Sequence, residues 1–176
     1  ISNNTRKDLS KFLPNIDKKK IKTIYISSEE SFFKIKDLNS IMKYDEFKSL
    51  YNKKIILFVG TRKKSYKNFS LTLDIVSSME GYTLVSVGPD NITKYEKKLI
   101  TKKLKGKFYH FTNINSAKLN QLYNLSFCLL YPSTYEGFGI PILEAMKAGC
   151  PVISTNKSSI PEVAGSSAIL IDEIKK

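Results

Sequence analysis

Five apolar residues in a row, Ile55 to Val59, follow two lysines and stop at Gly60. A run that short, without polar alternation and closed by glycine, predicts a strand buried on both faces over 53–59. The period then changes. Phe69, Leu73 and Val76 recur at helical spacing, with Leu71, Ile75 and Met79 widening the stripe, which predicts a helix over 68–79. TLVSV at 83–87 predicts the next strand, ended by Gly88-Pro89, and Ile92, Tyr95, Leu99 and Ile100 set the apolar face of a helix over 92–104. The alternation continues with strands over 107–111, 127–131, 151–154 and near 168–171, and helices over 116–124 and 141–148. Continuous apolar strands separated by amphipathic helices predict an α/β fold: a doubly wound, mostly parallel, Rossmann-like sheet of about six strands over residues 51–176.

Residues 1–50 do not keep this rhythm. A helix is expected over 5–12, a strand over 21–27 and a helix over 45–51, joined by Lys, Ser and Asn. Such a stretch has the look of the tail of a preceding domain plus a linker, with the boundary near residue 50. The 176 residues, 41% of them hydrophobic, supply one core rather than two. No run of eighteen uncharged apolar residues occurs, and ISNNTRKDLS has neither a signal-peptide core nor an initiating Met. The chain is therefore expected to be a cytoplasmic piece of a longer protein, incomplete at its C-terminal side as well, where Asp172-Glu173 precede the end.

Charge changes the picture in one respect. The formal net charge is +13, and residues 1–67 hold 17 Lys+Arg against 7 Asp+Glu. Phosphorylated ligands, nucleic acid and anionic lipid all become candidate partners. Lys18-Lys19-Lys20 is a lysine run with no interleaved aromatics and KYEKKLITKKLKGK (94–107) is a second basic stretch; for each, a solvated face is the first reading and an anionic membrane surface or nucleic acid the second. Cys128 and Cys150 have neither disulfide-framework nor metal-ligand spacing and are expected to be buried thiols.

In a doubly wound sheet the ligand sits beyond the carboxyl ends of the strands. After the first strand comes GTRKKSYKN, where Gly60 allows close approach and Arg62 and Lys67 suit a diphosphate near a helix start. It matches neither a Walker loop nor a G-x-G-x-x-G turn, so a basic surface turn is the competing reading. After the 127–131 strand comes YEGFGIPILEAMKAGCP. Gly137 and Gly139 let the amides around Phe138 and Ile140 turn outward, and Pro141 and Gly149 bound a helix. Glu144 leans back over the mouth of that turn and Glu136 approaches it from the strand side. Two carboxylates beside free amide donors suit a neutral polyol tethered to phosphates. His110 is expected to be structural, and Ser159…Glu162 has the spacing of a helix capping box.

The residues PSTYEGFGIPILEAMKAGCPVISTNKSSIPEVAG (132–165) resemble the donor-binding half of retaining glycosyltransferases of family 4, enzymes with two Rossmann-like domains in the GT-B architecture. Two glutamates eight positions apart, the Gly-Phe-Gly turn between them, E-A-M-x-x-G-x-P-V-I and S-x-I-P-E-V-x-G carry the likeness. It extends upstream through LYNLSFCLLYPS and FVGTRKKSYKN. The resemblance implies that Glu144 binds the nucleotide ribose, and that Glu136 contacts the transferred sugar with the amides of Phe138, Gly139 and Ile140. It further implies that Arg62 and Lys67 hold the diphosphate and stabilise the leaving charge. Ser27-Ser28-Glu29-Glu30 departs from the Asn-Gly-Val-Asp-like turn usual there, and Lys63 or Lys64 could stand in for Lys67.

The expected function is thus hexose transfer, with retention, from a nucleotide-diphosphate sugar to a glycan or lipid-linked acceptor, GDP-mannose being slightly favoured. No cofactor and no metal are expected, since no Asp-x-Asp pair occurs. A sugar-nucleotide epimerase or glycogen-type synthase on the same architecture is one alternative, and a basic nucleic-acid-binding module another. The lead reading expects no specific nucleic acid partner.

Overall fold

A computed structural model describes residues 1–43 and 45–172. Its strands are β1 (Lys54–Val59), β2 (Tyr82–Val87), β3 (Phe108–Phe111), β4 (Ser126–Tyr131), β5 (Val152–Thr155) and β6 (Ile169–Ile171). They form one sheet in the order β3-β2-β1-β4-β5-β6, with every neighbouring pair parallel. The helices are α1 (Asn3–Phe12), α2 (Asp45–Lys48), α3 (Phe69–Ser77), α4 (Lys94–Leu104), α5 (Ser116–Leu125), α6 (Ile140–Lys147) and α7 (Ile160–Ala164). The expected doubly wound architecture is the observed one, and the chain order reverses between β1 and β4.

The apolar run that predicts β1 is divided by strand alternation between two cores. Ile55, Leu57 and Val59 join Leu122, Tyr123, Leu129, Tyr131, Ile142 and Ile160 on one face. Ile56 and Phe58 join Phe69, Leu73, Val76, Leu84, Ile100 and Leu104 on the other. This two-sided burial is why the strand reads as continuous hydrophobics rather than an alternating pattern. Cys128 and Cys150 are free and buried, and burial pushes their thiols up to about 11 and about 12.

Several side chains of the segment before β1 pack on this domain. Phe32, Ile41, Phe47 and Leu50 lie in the first core, and Phe32 meets Tyr123 edge-on with ring centroids 6.0 Å apart. Two side chains of α5 hold the segment by its backbone: Phe33 N–H donates to Asn120 Oδ1 (3.1 Å) and Ile35 N–H to Asn124 Oδ1 (2.8 Å). The helix expected over 45–51 is confined to Asp45–Lys48 and continues as turns. The strand expected over 21–27 is not formed. A strand needs a partner to accept its hydrogen bonds, and Ile24 and Tyr25 are 69% and 56% exposed instead of paired against a sheet edge.

The capping box falls elsewhere than expected. Ser159 makes no side-chain cap on α7, and the reciprocal pair is Thr93 and Glu96 at the start of α4. Residues 173–176, the last of the expected 51–176 unit, lie outside the described residues. Among the described residues, no helix is long and apolar enough to cross a membrane.

Candidate functional site

The crevice between β1 and β4 is the switch point of the sheet, where ligands of doubly wound domains bind. The β1–α3 and β4–α6 loops face each other there and are stitched together. Asn68 takes a left-handed conformation (φ 53°) that ends the Ser65–Lys67 turn, and its Nδ2 donates to Pro132 O (2.8 Å). Thr134 N–H donates to Tyr66 O (2.9 Å). Between these ties Lys67 Nζ lies 2.6 Å from Glu136 Oε1 and donates to Tyr131 OH at 2.9 Å. Both charged side chains retain 12% exposure, so the pair is largely covered yet reachable from the crevice.

Gly60 supports this geometry. Its φ of 140° is open to glycine, and a Cβ there would stand 3.7 Å from Lys67 Nζ. Gly60 also meets Gly88 of the neighbouring strand end: a Cβ on Gly88 would lie 2.3 Å from Gly60 O. Gly88 therefore lets the two strand ends approach closer than any side chain at that position would permit.

The Gly137–Gly139 turn starts α6. Gly139 has φ 102° and caps the helix without a side-chain bond, and among the described residues the amides of Phe138, Gly139 and Ile140 donate to no protein acceptor. Gly139 and Ile140 are the N-cap and first residue of α6, so their amides are orphan donors of a helix N-terminus, with the Phe138 amide immediately before them. The carbonyls of the turn are occupied: Ser159 Oγ lies 2.8 Å from Glu136 O and 2.9 Å from Phe138 O, and Ser158 Oγ donates to Glu136 O (2.7 Å). Ser158 and Ser159 thus hold the turn's acceptors on the protein side, leaving its donors unpaired.

Glu144 sits one turn into α6 and accepts from Tyr123 OH (2.8 Å). Burial raises its carboxyl above the usual range, the Tyr123 hydrogen bond offsets part of this, and the charge of Glu29 adds to it. Lys147 of the same helix donates to Ser28 O (3.2 Å) and Glu29 O (3.3 Å), which fixes the Ser28–Glu29 segment beside α6.

Arg62 departs from its expected placement. Its side chain is fully covered and turned toward the β2–α4 loop: Nη2 donates to Asp90 O (2.7 Å), and Nε lies 3.4 Å from Glu96 Oε1. Nη1 is nearly equidistant from the two ring nitrogens of His110, at 3.1 and 2.9 Å, so the guanidinium packs against the imidazole. His110 is accordingly structural, its ring nitrogens 3.0 and 2.8 Å from the carbonyl oxygens of Ser86 and Asp90. The Thr61 hydroxyl, foremost, and then the Arg62 amide and Lys63 hold the Asp90 carboxyl below its usual range. Arg62 therefore ties two loops together, while Lys67, Glu136 and Gly60 come together in the crevice and Glu144 lies one turn into the helix that follows the Phe138–Ile140 amides, paired with Tyr123. Lys63 is exposed and paired with Asp90 at 3.3 Å, so Lys67 is the lysine placed against Glu136.

Tyr131 and Tyr123 are the site members that sequence reasoning missed. Each reads as one more apolar position of its strand or helix, although Tyr131 ends β4 at the carboxyl edge where ligands bind. Among the described residues, no group of three or more His, Cys, Asp or Glu side chains is placed to hold a metal ion.

Fold and crevice together define a Rossmann-like α/β domain whose switch-point crevice opens at the carboxyl ends of β1 and β4. The chain belongs to the family Glycosyl transferases group 1, whose sequence pattern matches residues 43–173. It is similar to the O-antigen chain mannosyltransferase RfbU of Salmonella typhimurium, 28% identical over 162 residues that cover 90% of this chain and 42% of that protein. A shorter stretch of 54 residues is 50% identical to O-antigen chain mannosyltransferase B of Escherichia coli, covering 31% of this chain and 14% of the relative. The fold matches Anabaena HepE in complex with UDP-glucose at a TM-score of 0.79 and 20% identity, covering 97% of this chain and 48% of HepE. WaaG, a glycosyltransferase involved in lipopolysaccharide biosynthesis, matches at 0.75 and 20%, covering 95% and 47%. The chain thus spans somewhat less than half the length of RfbU, HepE and WaaG.

Proposed function

We propose that this chain is the donor-binding half of a nucleotide-sugar-dependent glycosyltransferase that moves a hexose, with retention, onto a glycan or lipid-linked acceptor at the cytoplasmic side of the membrane. The observation that carries the reading is the Lys67–Glu136 pair, set at the switch point directly before the unpaired Phe138–Ile140 amides at the start of α6. A diphosphate entering the crevice offers Lys67 a stronger partner than Glu136. The exchange frees the Glu136 carboxylate for sugar hydroxyls and places the cation where the leaving group gains charge. The α6 amides are further donors for the anion, and Glu144, at the mouth of the crevice, accepts from ribose hydroxyls. In this reading the diphosphate is met by protein donors without a metal, and Arg62 shapes the Lys67 loop from behind.

The mannosyltransferase relatives favour a GDP-mannose-like donor. Calorimetric titration of the chain with GDP, UDP and ADP, alongside Lys67→Ala and Glu144→Ala, tests the site and the base together. Selective GDP binding weakened by both substitutions is expected. A nucleotide that binds with unchanged affinity to both variants would remove these residues from the site.

A further inference from the structure

The start of α1 lies on the Gly137–Gly139 turn, and almost all of its grip is polar. None of its ten residues is buried. The Glu162 carboxylate, from α7, straddles its first turn: Asn3 N–H donates to Oε2 (3.0 Å) and Asn4 N–H to Oε1 (3.2 Å), with Tyr25 OH 3.3 Å from Oε2. A carboxylate that takes two orphan amides of a helix from a distant part of the chain caps that helix in trans. This is the same Glu162 whose spacing from Ser159 suggested a cap on its own helix.

What the dock holds is the turn. Thr5 Oγ1 donates to Gly137 O (3.0 Å). Asn4 Nδ2 donates to Ser158 Oγ (3.1 Å), and Ser158 Oγ donates to Glu136 O. Tyr135 OH donates to Asp8 Oδ2 (2.9 Å), and the ring of Tyr25 lies 5.9 Å from that of Phe138. A Cβ on Gly137 would come within 3.2 Å of Ile1 Cδ1, so the N-terminal segment lies directly against this position. The contacts reach residues 135–138 in succession, up to the first of the unpaired amides and on both sides of Glu136.

We infer that Glu162 is a positioning residue for donor binding: by anchoring α1 it fixes the Gly137 carbonyl through Thr5 and keeps the Phe138–Ile140 amides and Glu136 in their binding geometry. The inference rests on the donor-site reading of that turn. Burial tends to raise the Glu162 carboxyl but is outweighed by hydrogen bonds from the Asn4 and Asn3 amides and from Tyr25 and Ser2, which hold it below its usual range. It is therefore charged, and the cap intact, at neutral pH.

The test compares the wild type with Glu162→Ala, Glu162→Gln and Thr5→Val by backbone ¹⁵N relaxation and by GDP calorimetry. Glu162→Ala and Thr5→Val are expected to lower the order parameters of Gly137–Ile140 from the rigid range of about 0.85 to below about 0.6, with the sheet unchanged. GDP affinity should fall about tenfold in both, and about threefold in Glu162→Gln, which keeps one acceptor. A turn that stays rigid in either folded variant overturns the inference, as does a loosened turn with affinity within about twofold of wild type. Thr5→Val removes a single hydroxyl, so it decides the matter if Glu162→Ala does not fold. If the wild type binds no nucleotide, the donor-site reading fails, and the order parameters alone still show whether Glu162 positions the turn.

Discussion

Removing one partner of the Lys67–Glu136 pair should cost more than removing both. At 2.6 Å, with each side chain 12% exposed, neither charge is well solvated in the absence of the other. Lys67→Met leaves Glu136 with little water and takes a donor from Tyr131 OH. Glu136→Gln leaves the ammonium with Tyr131 and the faces of the Tyr131 and Tyr66 rings, 4.9 and 5.8 Å away. Breaking a fully buried pair costs about 3–5 kcal/mol, and the residual exposure here places each single variant near the lower end, about 2–3 kcal/mol. For a chain of this size that is a fall in Tm of about 4–12 °C. The double variant replaces the pair by neutral groups of similar volume and should lie within about 1 kcal/mol of wild type, giving a coupling energy of about 3 kcal/mol or more. Urea denaturation followed by circular dichroism, without nucleotide, measures all four corners of the cycle. Additive single effects, with coupling below about 0.5 kcal/mol, would refute the claim that the two charges depend on each other. The double variant should regain stability without regaining nucleotide affinity, because the cation for the diphosphate is gone.

Glu144 gives the opposite balance. Its carboxyl is raised above the unfolded value by burial and by the charge of Glu29, so its favourable contribution is complete only below the unfolded pKa and is lost as pH rises through the folded one. Glu144→Gln should therefore be as stable as wild type or more so at pH 7, lose that advantage near pH 4, and bind nucleotide more weakly at neutral pH, as thermal melts at both pH values and calorimetry would show. Gly88→Ala places a Cβ 2.3 Å from Gly60 O and should destabilise the domain by at least about 3 kcal/mol in urea denaturation. Arg62→Met removes a fully covered guanidinium from Asp90, Glu96 and His110 and should cost about 3 kcal/mol; an exposed, donor-facing arginine would instead lower affinity with little change in Tm.

The order of elements from β1 onward was legible because each apolar run has one length and one period. Ile55–Val59 has no polar face to offer solvent, and Phe69, Leu73 and Val76 can share a face only on a helix. Gly60 (φ 140°) and Gly139 (φ 102°) marked the loops of the crevice because few other residues accept the backbone geometry found there, and Glu136 and Glu144 stood out as acids in a basic chain. Residues 21–27 show the limit of such reasoning. Ile-Lys-Thr-Ile-Tyr-Ile-Ser has strand composition, but a strand exists only with a neighbour to take its hydrogen bonds, and the fold supplies none.

Side-chain partners were decided by tertiary structure. Arg62 and Lys67 are five positions apart in one basic loop, and nothing local separates them. The β2–α4 loop turns one inward onto Asp90, Glu96 and His110, and the β4–α6 loop sets the other against Glu136. Glu162 had a plausible partner three residues away and found a different one 158 positions upstream, at the start of α1. A sequence fixes local period and backbone tolerance through short-range sterics, whereas a charge chooses its partner by distance in the folded chain, where burial makes the nearest counter-charge or unpaired amide the most favourable one.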